Sequence, residues 1–183
     1  MLTLIAAPNG FPVSLAEAKA HLRVTHDDED AVISGMIGAA TSLLEGPNGI
    51  LGRALITQTW RLAVPYLRYR ETLPLAPVQS IQAVTYIDTD DAQQTIAATD
   101  YRHVGDLLEF DEAIPGAAVR SDAFRVDFVV GYGEAADVPE PIRMAMLLLI
   151  GQWYEHRSTV GQENGEMPFA FRQLTAPYRV MNF

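Results

Sequence analysis

Two acidic clusters are the densest sets of side chains that could bind a metal or move a proton. His26, Asp27, Asp28, Glu29 and Asp30 stand consecutively, and Asp88, Asp90 and Asp91 form a second set in the stretch DTDD. A hard cation such as Ca²⁺ needs oxygen ligands converging from a looped backbone, with a glycine at the sharp turn and a distal glutamate. Neither cluster has that pattern. The first reads as a helix start, where carboxylates complement the positive end of the helix dipole, and the second as a hairpin turn. His21 and His26 miss the i, i+4 spacing of a zinc helix, and there is no HExxH. Glu155 and His156 are adjacent, so on a helix their side chains diverge by about 100°. A catalytic pair would need a distant partner, and no GxSxG or SxxK indicates one. GPNGILGR lacks the Lys-Ser/Thr of a phosphate loop, and Gly131-Tyr132-Gly133 lacks the third glycine of a dinucleotide fingerprint. The sequence therefore offers no catalytic residue, no metal ligand set and no cofactor site.

Composition narrows the classes further. The chain has 183 residues, 49% of them apolar, and a formal net charge of -10. That is enough to bury one sizeable core. Lys19 is the single lysine and the arginines are scattered, which argues against a protein that grips nucleic acid by neutralising phosphates. With no cysteine, disulfides and thiolate chemistry are excluded, and an intracellular protein fits. The N-terminus MLTLIAAPNG lacks the features of a signal peptide. The apolar run from Met144 to Ile150 is far shorter than the ~20 residues of a membrane span.

Three helical segments bracket a strand-rich middle. Ser14 and Glu17 have capping-box spacing ahead of Leu15, Ala18 and Leu22. A second helix is expected from Thr25, as N-cap, to about Glu45, with Val32, Ile33, Met36, Ile37, Ala40, Leu43 and Leu44 on one stripe. Period two then takes over in Ile56 to Val64, SIQAVTYID, QQTIA, YRHV, LLEF and Phe124 to Val130. Pro139, Glu140 and Pro141 open a third helix that His156 and Arg157 suit as a last turn. The expected fold is α+β: a helical bundle of two N-terminal helices and one C-terminal helix, an inserted small and mostly antiparallel sheet, and a C-terminal tail. As one domain it divides into residues 1–50 (helices), 51–133 (β-rich insertion), 137–158 (helix) and 159–183 (tail).

Three features point to contact rather than chemistry. The third helix is apolar for two consecutive turns and so needs cover on every side. On the second helix, opposite the apolar stripe, Gly35, Gly38, Ala39 and Ser42 stand where charged residues are usual. Each mid-helix glycine costs ~1 kcal/mol relative to alanine, and small residues in line allow close helix approach. The tail carries Met167, Phe169, Phe171, Leu174, Tyr178, Val180 and Phe183, too much apolar surface to leave in water. For both helix and tail, packing within the same chain is the alternative to an interface.

The succession PVSLAEAKAHLRV, AVISGMIGAATSLLE, GRALITQTW, LPLAPVQSIQAVTYID, FRVDFVVGYG, VPEPIRMAMLLLIGQWYEHR and MPFAFRQLTAPYR resembles the head-tail connector, or adaptor, proteins of tailed bacteriophages and gene transfer agents over nearly the whole chain. Gly35 and Gly38 depart from the alanine-rich or larger residues expected of that family's helix. The resemblance implies a non-enzymatic virion protein at the head-tail junction, made in the bacterial host cytoplasm. It also implies a dodecameric ring beneath the portal protein that continues the DNA channel and receives a tail-side connector or stopper. DNA would pass without sequence-specific binding, and no membrane is involved.

On that reading Gly35, Gly38, Ser42, Leu147, Trp153 and Tyr154 are expected at subunit interfaces. Met167, Phe169, Phe171, Tyr178, Arg172 and Arg179 are expected to dock on the portal. Asp27, Asp28, Asp30, Asp88 and Asp90 are expected to face the channel, where carboxylates repel DNA over the ~8 Å screening length of physiological salt. Two other classes remain open at the level of sequence. One is a hydrolase using His156 or His103 with a distant carboxylate; the other is a monomeric β-rich module that binds a partner strand at a sheet edge.

Overall fold

A computed structural model describes residues 1–111, 116–156 and 169–180. The fold is α+β, as expected, and the chain forms two compact units. One comprises Gly10–Ile56 and Gly133–Phe183 and contains the helices. The other comprises Met1–Asn9 and Thr57–Tyr132 and contains the strands.

In the helical unit, α1 (Leu15–Leu22) starts at the expected capping box. The Glu17 N–H donates to Ser14 Oγ at 3.2 Å, and the Ser14 N–H donates back to the Glu17 carboxylate at 2.8 Å. The helix stops at Arg23, whose φ of 58° is left-handed and whose N–H caps Ala20 and Lys19 carbonyls. Helix α2 (Asp30–Leu44) begins later than expected, with Glu29 rather than Thr25 at its N-cap. Asp27 and Asp28 therefore precede the helix instead of lining its first turn. The cause is Lys19 on α1, whose ammonium donates to both Asp27 and Asp30 at 2.6 Å and holds the intervening chain as a turn. Helix α3 (Glu140–Glu155) follows Pro139 and ends at His156, and it packs against both α1 and α2. A fourth helix, α4 (Phe169–Thr175), lies in what the sequence offered only as a tail, and it too packs on α3. A 3₁₀ turn, Ala176–Tyr178, continues it.

Arg143 ties this unit together at one end. Its guanidinium donates to the Glu17 carboxylate, to Glu140 at 3.0 Å and to the Pro12 carbonyl at 3.2 Å. The core it borders contains Ile33, Ile37, Ala40 and Leu44 of α2 with Ile142, Ala145, Met146, Leu149 and Ile150 of α3.

The strand unit contains two antiparallel sheets where the sequence suggested one. The five-stranded sheet has the order β1 (Leu2–Ala6), β2 (Gln58–Val64), β8 (Phe124–Val130), β4 (Val78–Ile87), β5 (Gln93–Ile96). Central β8 buries Phe124, Val126, Phe128 and Val130 and turns Arg125, Asp127 and Val129 outward, the period-two pattern of a half-buried strand. Asp127 stands directly opposite Arg61 on β2 and receives two guanidinium hydrogen bonds of 2.7 Å. The three-stranded sheet has the order β3 (Arg70–Thr72), β7 (Leu107–Phe110), β6 (Tyr101–Val104). In it Glu109 is paired in register with both Arg70 and Arg102, and its buried carboxylate bonds both, at 2.9 and 3.1 Å.

Candidate assembly surfaces

Helix α2 has no charged residue from Ala31 to Leu44, yet only one side of it is covered. Val32 is 47% exposed, and Ser34, Gly35, Ala39 and Ser42 are exposed beside it. A Cβ placed on Gly35 would meet nothing within 4 Å, so no contact among the described residues requires glycine there. At Gly38 the same atom would lie 3.7 Å from the Phe11 ring, so Phe11 partly covers that position. The apolar stripe is thus narrower than the sequence suggested: Val32 has left it, and Met36 and Leu43 are half-buried.

Helix α3 also departs from full enclosure. Its run Met144 to Tyr154 is uncharged, but Met144 is 38% exposed and Leu147, Leu148, Gly151 and Trp153 are half-buried. Tyr154 is half-buried as well, and its hydroxyl donates to the Glu29 carboxylate, which anchors the start of α2. Both helices of the core therefore carry uncharged outer faces in a chain where 20% of residues are charged. Charge depletion of this kind is what distinguishes the centre of a protein interface from ordinary surface.

The candidate docking residues divide. Phe169 is 77% exposed, whereas Phe171 is 1% exposed and belongs to the core of its own unit. Phe171 is thus a packing residue of α4 rather than a free anchor. Arg172 is exposed, with no hydrogen bond or ion pair of its guanidinium among the described residues. Arg179 Nε donates to the Ile50 carbonyl at 3.2 Å, and half-buried Tyr178 uses its carbonyl to accept from Arg53 at 2.6 Å. Met167 lies outside the described residues.

The acidic candidates also differ in freedom. Asp27 and Asp30 are engaged by Lys19, which holds the Asp27 carboxyl below its ordinary range. Asp88 Oδ1 accepts from the backbone N–H groups of Asp90 and Ala92, both at 2.9 Å, and Oδ2 accepts from Gln94. Its pKa is lowered, chiefly by the Gln94 hydrogen bond. Asp88 therefore builds the hairpin turn from the inside. Asp28 and Asp90 are exposed, and Asp28 lies 3.5 Å from the His26 ring.

Shallow concavities open on the surface, two of them lined wholly by described residues. Val64, Pro65, Tyr66, Arg68 and Glu71 line one; His21, Leu22, Arg23, Gly151, Tyr154 and Glu155 line the other. His103 and His156 line neither. Among the described residues no three His, Asp or Glu side chains converge as metal ligands, and no helix is long and apolar enough to cross a membrane.

Residues 12–119 match the family described as Phage gp6-like head-tail connector protein. The chain belongs to that family. The connector is similar throughout its length to a chain in the neck of an empty gene transfer agent particle computed with C6 symmetry. The TM-score is 0.78 with 29% sequence identity, covering 100% of this chain and 97% of that one. A chain from the neck of the native particle computed with C12 symmetry gives 0.77 at 27% identity, and one from the virion of the native particle gives 0.77 at 28%, each with the same coverage. No curated protein matches the connector in sequence. Family and fold agree with the resemblance read from the sequence, and they make the chain a structural head-tail connector.

Proposed function

We propose that the connector assembles into a closed ring beneath the portal of a phage-like particle, prolongs the DNA channel and receives a tail-side stopper or connector. It works without a cofactor or catalytic residue. The observation that carries this reading is the pair of uncharged, part-exposed helix faces on α2 and α3. The C6 and C12 symmetries of the similar neck structures support it, because a cyclic ring of that order uses two different complementary surfaces on every subunit. The α2 face at Gly35, Gly38, Ala39 and Ser42 is one surface, and Leu147 with Trp153 and Tyr154 on α3 belongs to the other.

In this ring Phe169, Arg172 and Arg179 contact the portal, with Met167 and Tyr178 beside them. Asp28 and Asp90 are the acidic residues most free to face the channel, since Asp27, Asp30 and Asp88 are already engaged. Particle mass and negative-stain images of the chain, alone and mixed with portal, test the proposal. A ring with a central hole in either sample supports it; a monomer that ignores the portal overturns it.

A further inference from the structure

The chain contains the tripeptide Pro-Asn-Gly twice, at 8–10 and at 47–49. We propose that Asn9 is a site of spontaneous deamidation and that the fold protects Asn48 from the same reaction. In this chemistry the backbone nitrogen of the following glycine attacks the asparagine side-chain carbonyl carbon. The new C–N bond closes a succinimide, the bond to the side-chain nitrogen breaks, and that nitrogen leaves as ammonia with the proton given up by the backbone amide. Water then opens the ring at either carbonyl, giving aspartate or isoaspartate. Water is the only co-reactant.

The reaction needs a backbone N–H free to lose its proton and a peptide that can rotate until nitrogen meets carbon. At Asn48 both are denied. The Gly49 N–H donates to the Gly46 carbonyl at 3.1 Å, and the next two N–H groups, of Ile50 and Leu51, donate to Leu43 and Leu44 at the end of α2 at 2.9 and 3.0 Å. Gly49 is pressed against that helix end so closely that a Cβ there would stand 2.2 Å from the Glu45 carbonyl oxygen. Asn9 and Gly10 are both exposed, and neither takes part in any hydrogen bond among the described residues. A Cβ on Gly10 would meet nothing within 4 Å, so the peptide has room to turn. The isoaspartyl product lengthens the backbone by one methylene just ahead of Phe11, the residue whose ring covers Gly38 on α2.

The test is to age the full-length native chain in mildly alkaline buffer and follow both sites by tryptic peptide mass. Cleavage at Lys19, Arg23 and Arg53 puts Asn9 and Asn48 in different peptides, and Asn164, which lies outside the described residues, in a third. Asn9 is expected to convert at least about fivefold faster than Asn48, the rate equivalent of breaking one backbone hydrogen bond. Ageing in urea should bring the two rates together, since the tripeptides are identical. Equal rates in the native chain, faster loss at Asn48, or a preference for Asn9 that persists in urea would each overturn the proposal.

Discussion

Gly35 sits mid-helix, exposed, with open space where its side chain would be, so nothing among the described residues compensates its low helix propensity. Gly35→Ala should stabilise the isolated chain by ~1 kcal/mol, a rise of about 2–4 °C in melting temperature for a chain of this length. If another copy packs closely on that face, the added methyl should weaken ring formation at the same time. Opposite signs in a melting curve and an assembly assay are the expected result; a gain in both would remove Gly35 from the interface. Phe169 and Phe171 separate in the same manner. Phe171→Ala empties a buried site and should cost about 3–5 kcal/mol, measured by chemical unfolding. Phe169→Ala should leave stability within about 0.5 kcal/mol and lower portal attachment. The pair is a sharper probe than deleting the tail, because deletion removes Phe171 from the core as well.

At the scale of elements, the start of α1 and the turn before α2 are held by carboxylates with depressed pKa values. For Glu17 the causes, largest first, are the Ser14 side chain, the Ser14 backbone and the Arg143 guanidinium. For Asp27 the cause is Lys19. A carboxylate with a lowered folded-state pKa contributes stability that is fully present above its ordinary value, 4.5 for Glu17 and 3.8 for Asp27, and is lost as pH falls through the folded value. The helical unit should therefore loosen in acid from about pH 4.5 downward. The expected reading is faster amide exchange at residues 15–18 and 24–30 than in the α3 core, and Ser14→Ala, which returns the Glu17 carboxyl toward its ordinary value, should shrink the acid-induced rise at residues 15–18. Unchanged exchange in these segments through that range would contradict the assignment. On the basic side Lys19 contributes in the opposite sense: its raised pKa means that its share is present below the ordinary value of 10.5 and lost as pH rises through the folded value.

For the whole molecule, the chain's acid excess and its uncharged faces answer different needs. In the proposed ring every subunit brings a formal charge of -10, so the proposed contacts must avoid charge while the proposed channel can use it. Replacing Asp28 and Asp90 together by arginine should leave assembly intact and slow DNA passage, measured as ejection kinetics, because guanidinium groups attract the phosphates that carboxylates repel. Normal ejection from particles carrying such rings would return these residues to the role of solubility alone.

Several local features were legible in the sequence because their causes are local. Ser14 and Glu17 cap a helix by their own spacing, the alternation of Phe124 to Val130 is that of a half-buried strand, and Pro139 to Pro141 opens α3. The order of such pieces was enough to place the chain in its family. Other features depended on residues far apart in the chain. Lys19 delays α2 by drawing in Asp27 and Asp30, and Phe11 covers Gly38. Short β3 is defined by its pairing with β7, where Arg70 stands opposite Glu109. Strand β1, whose register shifts between Leu4 and Ala6, gains its identity only from β2. The sequence by itself determined the three longer helices, most of the strands and the family resemblance that points to contact rather than chemistry. Tertiary structure decided which apolar side chains are consumed at home and which are left over, because burial is a property of what surrounds a residue. Phe171 and Phe169, two positions apart on one helix, have opposite fates for that reason alone.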